Sequence, residues 1–139
     1  AIGTVLPNGE LMLNIRQQNG TTKRRLIARS NDGGQSWDSV YFDPELITPV
    51  CQSSLFLFQN NSHNHLLYSG PNSTEERIRM TVKASEDNGI TWSIKKEIYP
   101  GISAYSDLTQ INESQVGLLF EKENKTINLV LFSIDWLLN

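Results

Sequence analysis

The sequence predicts an all-β protein. Short segments rich in Val, Ile, Leu and aromatic residues alternate with turns rich in Gly, Asn and Pro, and no segment keeps a helical period. One turn motif also occurs twice along the chain. With 139 residues, of which 38% are hydrophobic, the chain has enough apolar material for the core of about one domain. We therefore treat residues 1–139 as a single unit of short strands.

Turn sequences punctuate the predicted strands in chain order. The turn LPNGE precedes the first strand, NDGG lies between the second and third, and PNSTEE, DNG and INESQ separate later ones. Gly and Asn occur in these turns, where positive φ is favoured. The predicted strands are ELMLNIR, RRLIARS, SVYF, SLFLFQ, HLLYSG, IRMTVKAS, WSIKKEIY, VGLLFEK and INLVLFSI.

The pattern Ser-x-Asp-x-Gly-x-x-Trp occurs at residues 30–37 and again at residues 85–92. Its Asp can accept hydrogen bonds from N–H groups of the turn, and its Gly takes a conformation closed to other residues. Its Trp begins the next strand, with the ring packed beneath the turn. The motif residues are Ser30, Asp32, Gly34 and Trp37 in the first copy and Ser85, Asp87, Gly89 and Trp92 in the second. Two such corners, separated by the length of one four-stranded blade plus loops, predict a β-propeller.

Composition excludes several classes of function. The net charge is −3 and the densest basic run is KRR at residues 23–25, so the electrostatic footprint of nucleic-acid binding is absent. No stretch approaches the roughly 18 apolar residues of a membrane span. A lone Cys51 excludes an internal disulfide framework. His63 and His65 lie in a polar turn without a nearby carboxylate or cysteine, so we expect no metal site and no cofactor.

Glycosylation sequons bear on localisation. Each lies in a turn-like context where a glycan could be solvated, which favours the lysosomal lumen or secretion. An Asn-rich bacterial sequence in which the sequons arise by chance is the alternative, and the sequence leaves it open. The sequons begin at Asn19, Asn60, Asn72, Asn112 and Asn124.

The repeated octapeptide resembles the Asp box of the sialidases. The segments LNIRQQNG, FDPEL, CQSSL, RIRMTVKASEDNGITW, AYSDL and GLLFEK come in the order found in the second half of exo-α-sialidases. FDPELITPV is similar to the animal lysosomal branch. The resemblance implies that residues 1–139 are the C-terminal portion of a catalytic domain, with about two to three blades of a six-bladed propeller.

The resemblance also implies which arginines bind the substrate carboxylate. A guanidinium is planar, permanently charged and bidentate, and so suits the carboxylate of sialic acid. Arg16, which ends LMLNIR, matches the second sialidase arginine, and Arg77 matches the third. Arg79 competes with Arg77, because alternate residues of a strand share a face. The spacing to the second Asp box favours Arg77.

Tyr105 in AYSDL matches the sialidase nucleophile. A neutral phenol is not repelled by the carboxylate beside the reacting carbon, as a carboxylate nucleophile would be. Small residues precede Tyr105 and would leave its phenol approachable, although a half-buried core tyrosine is the ordinary alternative. The resemblance assigns Glu121 to support of the first arginine, and Gln52 either lines the pocket or simply begins a strand.

Other parts of the sialidase machinery have no match in this sequence. The glutamate that activates the tyrosine, the acid/base aspartate and the first arginine all correspond to positions before Ala1. Asp32 and Asp87 cannot replace the acid, because the turns consume their hydrogen-bonding capacity. We therefore expect the isolated chain to be inactive. We also expect it to self-associate through SLFLFQ and INLVLFSI, or to pair with an N-terminal half.

The predicted function is that of an exo-α-sialidase, which releases terminal sialic acid from glycoproteins, gangliosides or oligosaccharides with retention. Two alternatives stay open. One is a non-catalytic, lectin-like binder of sialic acid that keeps only the arginines. The other is an interaction scaffold that uses its Asp boxes for folding alone, and this scaffold would have no use for Arg16, Arg77 and Tyr105.

Overall fold

The computed structural model describes all residues 1–139 and contains ten strands and one short helix. This confirms the all-β prediction. The strands are β1 Ile2–Val5, β2 Leu11–Ile15, β3 Arg24–Ser30, β4 Ser39–Ile47, β5 Ser54–Gln59, β6 Asn64–Pro71, β7 Ile78–Ser85, β8 Ile94–Gln110, β9 Gln115–Lys122 and β10 Thr126–Ser133, and the helix is α1 Ile134–Leu138.

The strands form antiparallel sheets in which chain neighbours pair. The first sheet has the order β1-β2-β3-β4, and the second has the order β10-β9-β8-β7-β6-β5. β8 is 17 residues long and pairs with β7 through its first half and with β9 through its second half. The chain therefore forms three successive units: β1–β4, then β5–β7 with the start of β8, then the end of β8 with β9 and β10.

β8 is longer than the sequence predicts. The segment WSIKKEIY ends before Pro100 and Gly101, two residues that usually interrupt strands, yet the strand continues to Gln110. The pairing register with β9 shifts between Ser103 and Ser106, which marks a β-bulge. This bulge lies at Tyr105.

Two hydrophobic clusters join the three units. One contains residues of the first and second units, and the other joins the second and third units with α1. The first cluster consists of Leu6, Met12, Ile27, Leu46, Leu55, Leu66, Tyr68 and Trp92. The second consists of Phe58, Leu67, Met80, Val82, Ala84, Leu108, Val116, Leu118, Phe120, Phe132, Ile134 and Leu137.

Helix α1 and strand β1 were not predicted. The helix has only five residues, too few for a periodic pattern, and its Trp136 N–H donates to the Ser133 hydroxyl at 3.1 Å. It is the only helix, and no helix of the chain is long enough to cross a membrane.

The prediction that SLFLFQ is an exposed apolar strand is wrong. In β5, Leu55 is 4% exposed and Phe58 is fully buried, and each belongs to a different hydrophobic cluster. β5 is covered on both faces because it lies between the first and third units. INLVLFSI, in contrast, leaves one face of β10 open: Ile127 is 74% exposed and Leu129 58%.

Candidate functional site

A cavity of about 710 Å³ opens where several strand ends meet. The end of β2, the connector between β4 and β5, the bulge of β8 and strand β9 all contribute to its wall. The lining residues are Ala1, Ile2, Arg16, Arg25, Gln52, Ser53, Tyr105, Ser106, Asp107, Leu119, Phe120, Glu121 and Ile127. Four of the residues singled out from the sequence are therefore brought to one place.

Tyr105 lies between two arginines at this cavity. Arg16 follows β2, and its Nη1 donates to the Tyr105 hydroxyl at 3.3 Å. Arg77 precedes β7, and its guanidinium carbon lies 5.5 Å from the centre of the Tyr105 ring. Tyr105 as a whole remains 41% exposed. Arg77 lies over the Tyr105 ring and is not one of the residues that line the cavity.

Glu121 holds the backbone of the tyrosine. Its Oε2 accepts a hydrogen bond from the Tyr105 N–H at 3.1 Å, across the register shift between β8 and β9. A bulge frees one N–H from the strand ladder and redirects the side chain, and here the carboxylate satisfies that N–H. This contact could not be predicted from the sequence, because it depends on the pairing register of β8 and β9.

Gln52 anchors the residue that follows Tyr105. Its side-chain oxygen accepts from the Ser106 N–H at 2.9 Å, and its Nε2 donates to the Ser106 carbonyl at 3.0 Å. Asp107 accepts from the Ser54 hydroxyl at 3.0 Å. These bonds fix the β8 bulge to the start of β5, so Gln52 both lines the cavity and positions the tyrosine segment.

Positive charge at the site lacks an acidic partner. The arginine ion pairs of the chain join Arg29 to Glu10 and Arg79 to Glu97, and the rings of His63 and His65 contact the carboxylates of Asp135 and Glu86. None involves Arg16, Arg25 or Arg77, and the buried Nε of Arg16 has no hydrogen-bond partner. A surface arginine usually finds a carboxylate or remains solvated. Two guanidinium groups beside Tyr105, those of Arg16 and Arg77, therefore have no ionic partner within the chain, and this favours an anionic ligand.

Arg79 is separated from Arg77 by backbone conformation. The expectation that residues 77 and 79 share a strand face is wrong, because Arg77 precedes β7 and Arg79 has a φ of 63° at an irregularity in the strand. The Arg79 guanidinium donates to Glu97 at 2.8 Å on the surface.

Comparison with known proteins identifies the family. A model described as a BNR repeat-like domain matches residues 3–118. The chain belongs to this family. It is also 32% identical over 138 residues to the sialidase of Micromonospora viridifaciens, an alignment that covers 95% of this chain and 21% of the relative. It is 31% identical to the sialidase of Bacteroides fragilis, covering 81% of this chain and 22% of the relative.

A solved structure extends the comparison to the fold of this BNR-repeat chain. The Hadza microbial sialidase Hz136 matches with a TM-score of 0.85 and 34% identity, over 96% of this chain and 27% of that one. A partial propeller fits this likeness. The chain spans about a quarter or less of the length of these relatives. The two sequence relatives are bacterial, so they give no support to the expected nearness to the animal lysosomal branch.

The two BNR motifs form nearly identical turns. In the first, the Ser30 hydroxyl accepts from Gly34 N–H at 2.9 Å and donates to Asp32 at 2.8 Å. In the second, the Ser85 hydroxyl accepts from Gly89 N–H at 2.8 Å and donates to Asp87 at 2.7 Å. The first joins β3 to β4 and the second joins β7 to β8, which are equivalent positions in successive units.

The motif aspartates are stabilised as anions by their turns. Hydrogen bonds from the Ser36 side chain and N–H, together with Ser30, lower the pKa of Asp32 to about 2. Burial acts to raise the pKa of Asp87, but hydrogen bonds from Thr91 and other turn donors outweigh it, so the pKa is lowered. Neither carboxylate lines the cavity.

The tryptophans of the two motifs differ in burial. Trp92 is 2% exposed and packs in the cluster between the first and second units, where its Nε1 donates to Asp43 at 2.9 Å. Trp37 is 37% exposed; its ring lies beside Gly34 of its own turn but is not buried between units as the Trp92 ring is. Asp43 also accepts from Leu46 N–H at 3.1 Å, which makes it a buried link between units that its place in FDPEL did not reveal.

Proposed function

We propose that this BNR-repeat chain carries the sialic-acid site of an exo-α-sialidase that acts on terminal sialic acids of glycoconjugates. The convergence of Arg16 and Arg77 on Tyr105, with no carboxylate paired to either arginine, carries the proposal. An anionic sugar would supply the missing negative charge. The named relatives are sialidases, which supports the same substrate class.

The proposed chemistry is retaining hydrolysis with Tyr105 as nucleophile. The phenol oxygen attacks the anomeric carbon as a base removes its proton, and the bond to the leaving oxygen breaks as an acid protonates that oxygen. Water then attacks the tyrosyl-sialoside at the same carbon and releases Tyr105. Arg16 and Arg77 hold the sugar carboxylate throughout, and Glu121 keeps the tyrosine backbone in place.

Residues outside positions 1–139 complete the site in this proposal. The only hydrogen bond of the Tyr105 hydroxyl comes from Arg16, so no carboxylate of this chain contacts the phenol. We propose that the activating glutamate, the acid/base aspartate and a further arginine come from other blades of a six-bladed propeller, of which these residues form about two to three. The sequons support a secreted location, with the lysosomal lumen as the alternative.

Binding of an unsaturated sialic acid analogue tests the arginine assignment. In the full-length protein, Arg77→Ala should raise the dissociation constant roughly thirtyfold, because loss of a charge-assisted pair costs about 2 kcal/mol or more. Arg79→Ala is the matched control, since Arg79 pairs with Glu97 on the surface, and its dissociation constant should stay within about twofold. Equal effects of the two substitutions would refute the assignment.

A lectin-like function is the second candidate, because binding of sialic acid by Arg16 and Arg77 would need no further group at the Tyr105 hydroxyl. A fluorogenic sialoside separates the two candidates. Turnover by the full-length protein supports the enzyme, whereas tight binding of the analogue without turnover supports the lectin.

A further inference from the structure

Arg25 is a buried cation without a buried anion. It lies in β3, is 1% exposed and forms no ion pair. Burial lowers the pKa of its guanidinium, because removal from water disfavours the charge. A charge buried without a carboxylate destabilises the fold unless its hydrogen bonds are satisfied. The hydrogen bonds of the Arg25 guanidinium therefore matter more than its apolar packing.

The guanidinium joins two separate segments of the cavity wall. Its Nε donates to the Asn14 side-chain oxygen at 2.5 Å, and its Nη2 to the Asn14 carbonyl at 3.4 Å. Its Nη1 donates to the Cys51 carbonyl at 2.8 Å. Asn14 lies in β2 two residues before Arg16, and Cys51 directly precedes Gln52. The Arg25 side chain therefore connects the end of β2, which precedes Arg16, with the connector segment that contains Gln52.

The connector bound by Arg25 also meets the other candidate site residues. The Val50 carbonyl accepts from Arg77 Nη2 at 2.9 Å, and Gln52 holds both backbone groups of Ser106, next to Tyr105. A shift of this connector would displace the supports of Arg77 and Tyr105 together. Because hydrogen bonds from a charged donor are about twice as strong as neutral ones, Arg25 is suited to hold it.

We propose that Arg25 is a positioning residue of the cavity, which fixes the end of β2 against the connector at residues 50–52. It thereby sets the places of Arg16, Gln52 and, through the connector, Arg77. All three of its nitrogens donate to protein acceptors, so it acts through these residues and does not bind the ligand. The fork geometry is essential, because a lysine ammonium cannot reach both acceptors in the same plane. The test of this proposal by ligand binding rests on the proposed sialic-acid site.

Arg25→Lys in the full-length protein tests the fork with the charge retained. We expect at least a tenfold weaker affinity for the unsaturated sialic acid analogue, measured well below the melting temperature of the variant. Arg24→Lys is the matched control, because the neighbouring Arg24 is exposed and donates only to the Pro44 carbonyl. Its dissociation constant should stay within twofold of wild type. An Arg25→Lys affinity that also stays within twofold would overturn the proposal.

Thiol labelling provides a readout that needs no sialic acid ligand. The Cys51 thiol is fully buried, and Arg25 bonds to its carbonyl. We expect a thiol reagent to label Cys51 faster in Arg25→Lys than in wild type or Arg24→Lys, with the site mapped by mass spectrometry. An unchanged rate of Cys51 labelling in Arg25→Lys would contradict the proposal that Arg25 holds the connector. If wild type fails to bind the analogue, the proposed function is wrong. The labelling rates still test whether Arg25 holds the connector at residues 50–52.

A second variant covers the case in which Arg25→Lys does not fold. Asn14→Ala removes the side-chain acceptor of Arg25 and leaves its bond to Cys51 in place. We expect Asn14→Ala to bind the analogue more weakly than wild type and to label faster at Cys51. Both changes should be smaller than in Arg25→Lys. Wild-type values for both measurements would overturn the role of this link.

Discussion

Tyr105 has three neighbours that act on three different parts of the residue. Arg16 donates to the hydroxyl, Arg77 lies against the ring, and Glu121 accepts from the backbone N–H. In the proposed function, Arg16 and Arg77 also bind the carboxylate of the substrate, so that one group of residues would serve both recognition and attack.

Replacement of Tyr105 by Phe removes the attacking oxygen and keeps the ring. In the full-length protein we expect kcat to fall by at least about 100-fold, while the affinity for the unsaturated analogue changes little. Tyr99→Phe is the control, because Tyr99 lies in the same strand, bonds to Glu123 and does not line the cavity. Steady-state kinetics with a fluorogenic sialoside measures both variants, and wild-type turnover by Tyr105→Phe would exclude the nucleophile role.

Residue chemistry and the resemblance to the sialidases together pointed to Arg16, Arg77, Gln52, Glu121 and Tyr105. They did not indicate what Glu121 contacts. That hydrogen bond joins residues 16 positions apart across a register shift, and the shift follows from how β8 turns from one unit into the next. Local sequence patterns predict the hydrogen bonds within a turn, but they do not predict the pairing register of long strands.

At the scale of elements, the turn motif acts as a self-contained corner. Its Ser and Asp bind donors within four positions along the chain, so the sequence alone could predict these turns. Links between units are different. Asp43 and Trp92 are 49 positions apart, and Arg29 reaches the carbonyl of Asn88 at 2.9 Å in the second motif. Such partners are set by packing of one unit on the next.

The motif aspartates should stabilise the fold and should not affect ligand affinity. Asp87→Asn removes a charged acceptor of turn donors and should lower the melting temperature by roughly 2–8 °C at neutral pH. Asp38→Asn, one residue beyond the first motif, is the control and should have a smaller effect. Thermal denaturation and analogue titration measure the two properties, and lost affinity at unchanged stability would contradict a structural role.

Acid pH should remove the contribution of these aspartates. The folded-state pKa of Asp32 is lowered to about 2 from 3.8, so the folded state binds fewer protons than the unfolded state between these values. The stabilisation is complete above about pH 4 and is lost as the pH falls towards about 2. The stability difference between wild type and Asp32→Asn should shrink over this interval. A stability difference that stays constant over this interval would contradict the lowered pKa of Asp32 as the source of the stabilisation.

At the scale of the whole molecule, two apolar faces remain open at opposite ends of the series of units. The first unit exposes Val5, Val40 and Phe42, with exposed fractions of 57%, 60% and 39%. The third unit exposes Ile127, Leu129 and Leu131 on β10. The sequence identified β10 as apolar and misassigned β5, because an apolar run does not reveal how many sheets cover it.

The isolated 139-residue chain should associate through these faces. Leu129→Glu adds a charge to the open face of β10 and should reduce the apparent mass in light scattering. Thr126→Glu adds the same charge to the opposite face of that strand and serves as the control. A monomeric wild-type chain, or equal effects of the two substitutions, would show that the open faces do not drive association.

Covalent trapping tests the central claim most directly. A mechanism-based fluorosialoside stabilises the glycosyl-enzyme intermediate, so that the attacked residue can be identified by peptide mass spectrometry of the full-length protein. We predict one adduct, located on Tyr105, which is absent from Tyr105→Phe and much reduced in Arg77→Ala. An adduct on any other residue, in a protein that hydrolyses sialosides, would contradict the assignment of Tyr105 and of the cavity around it.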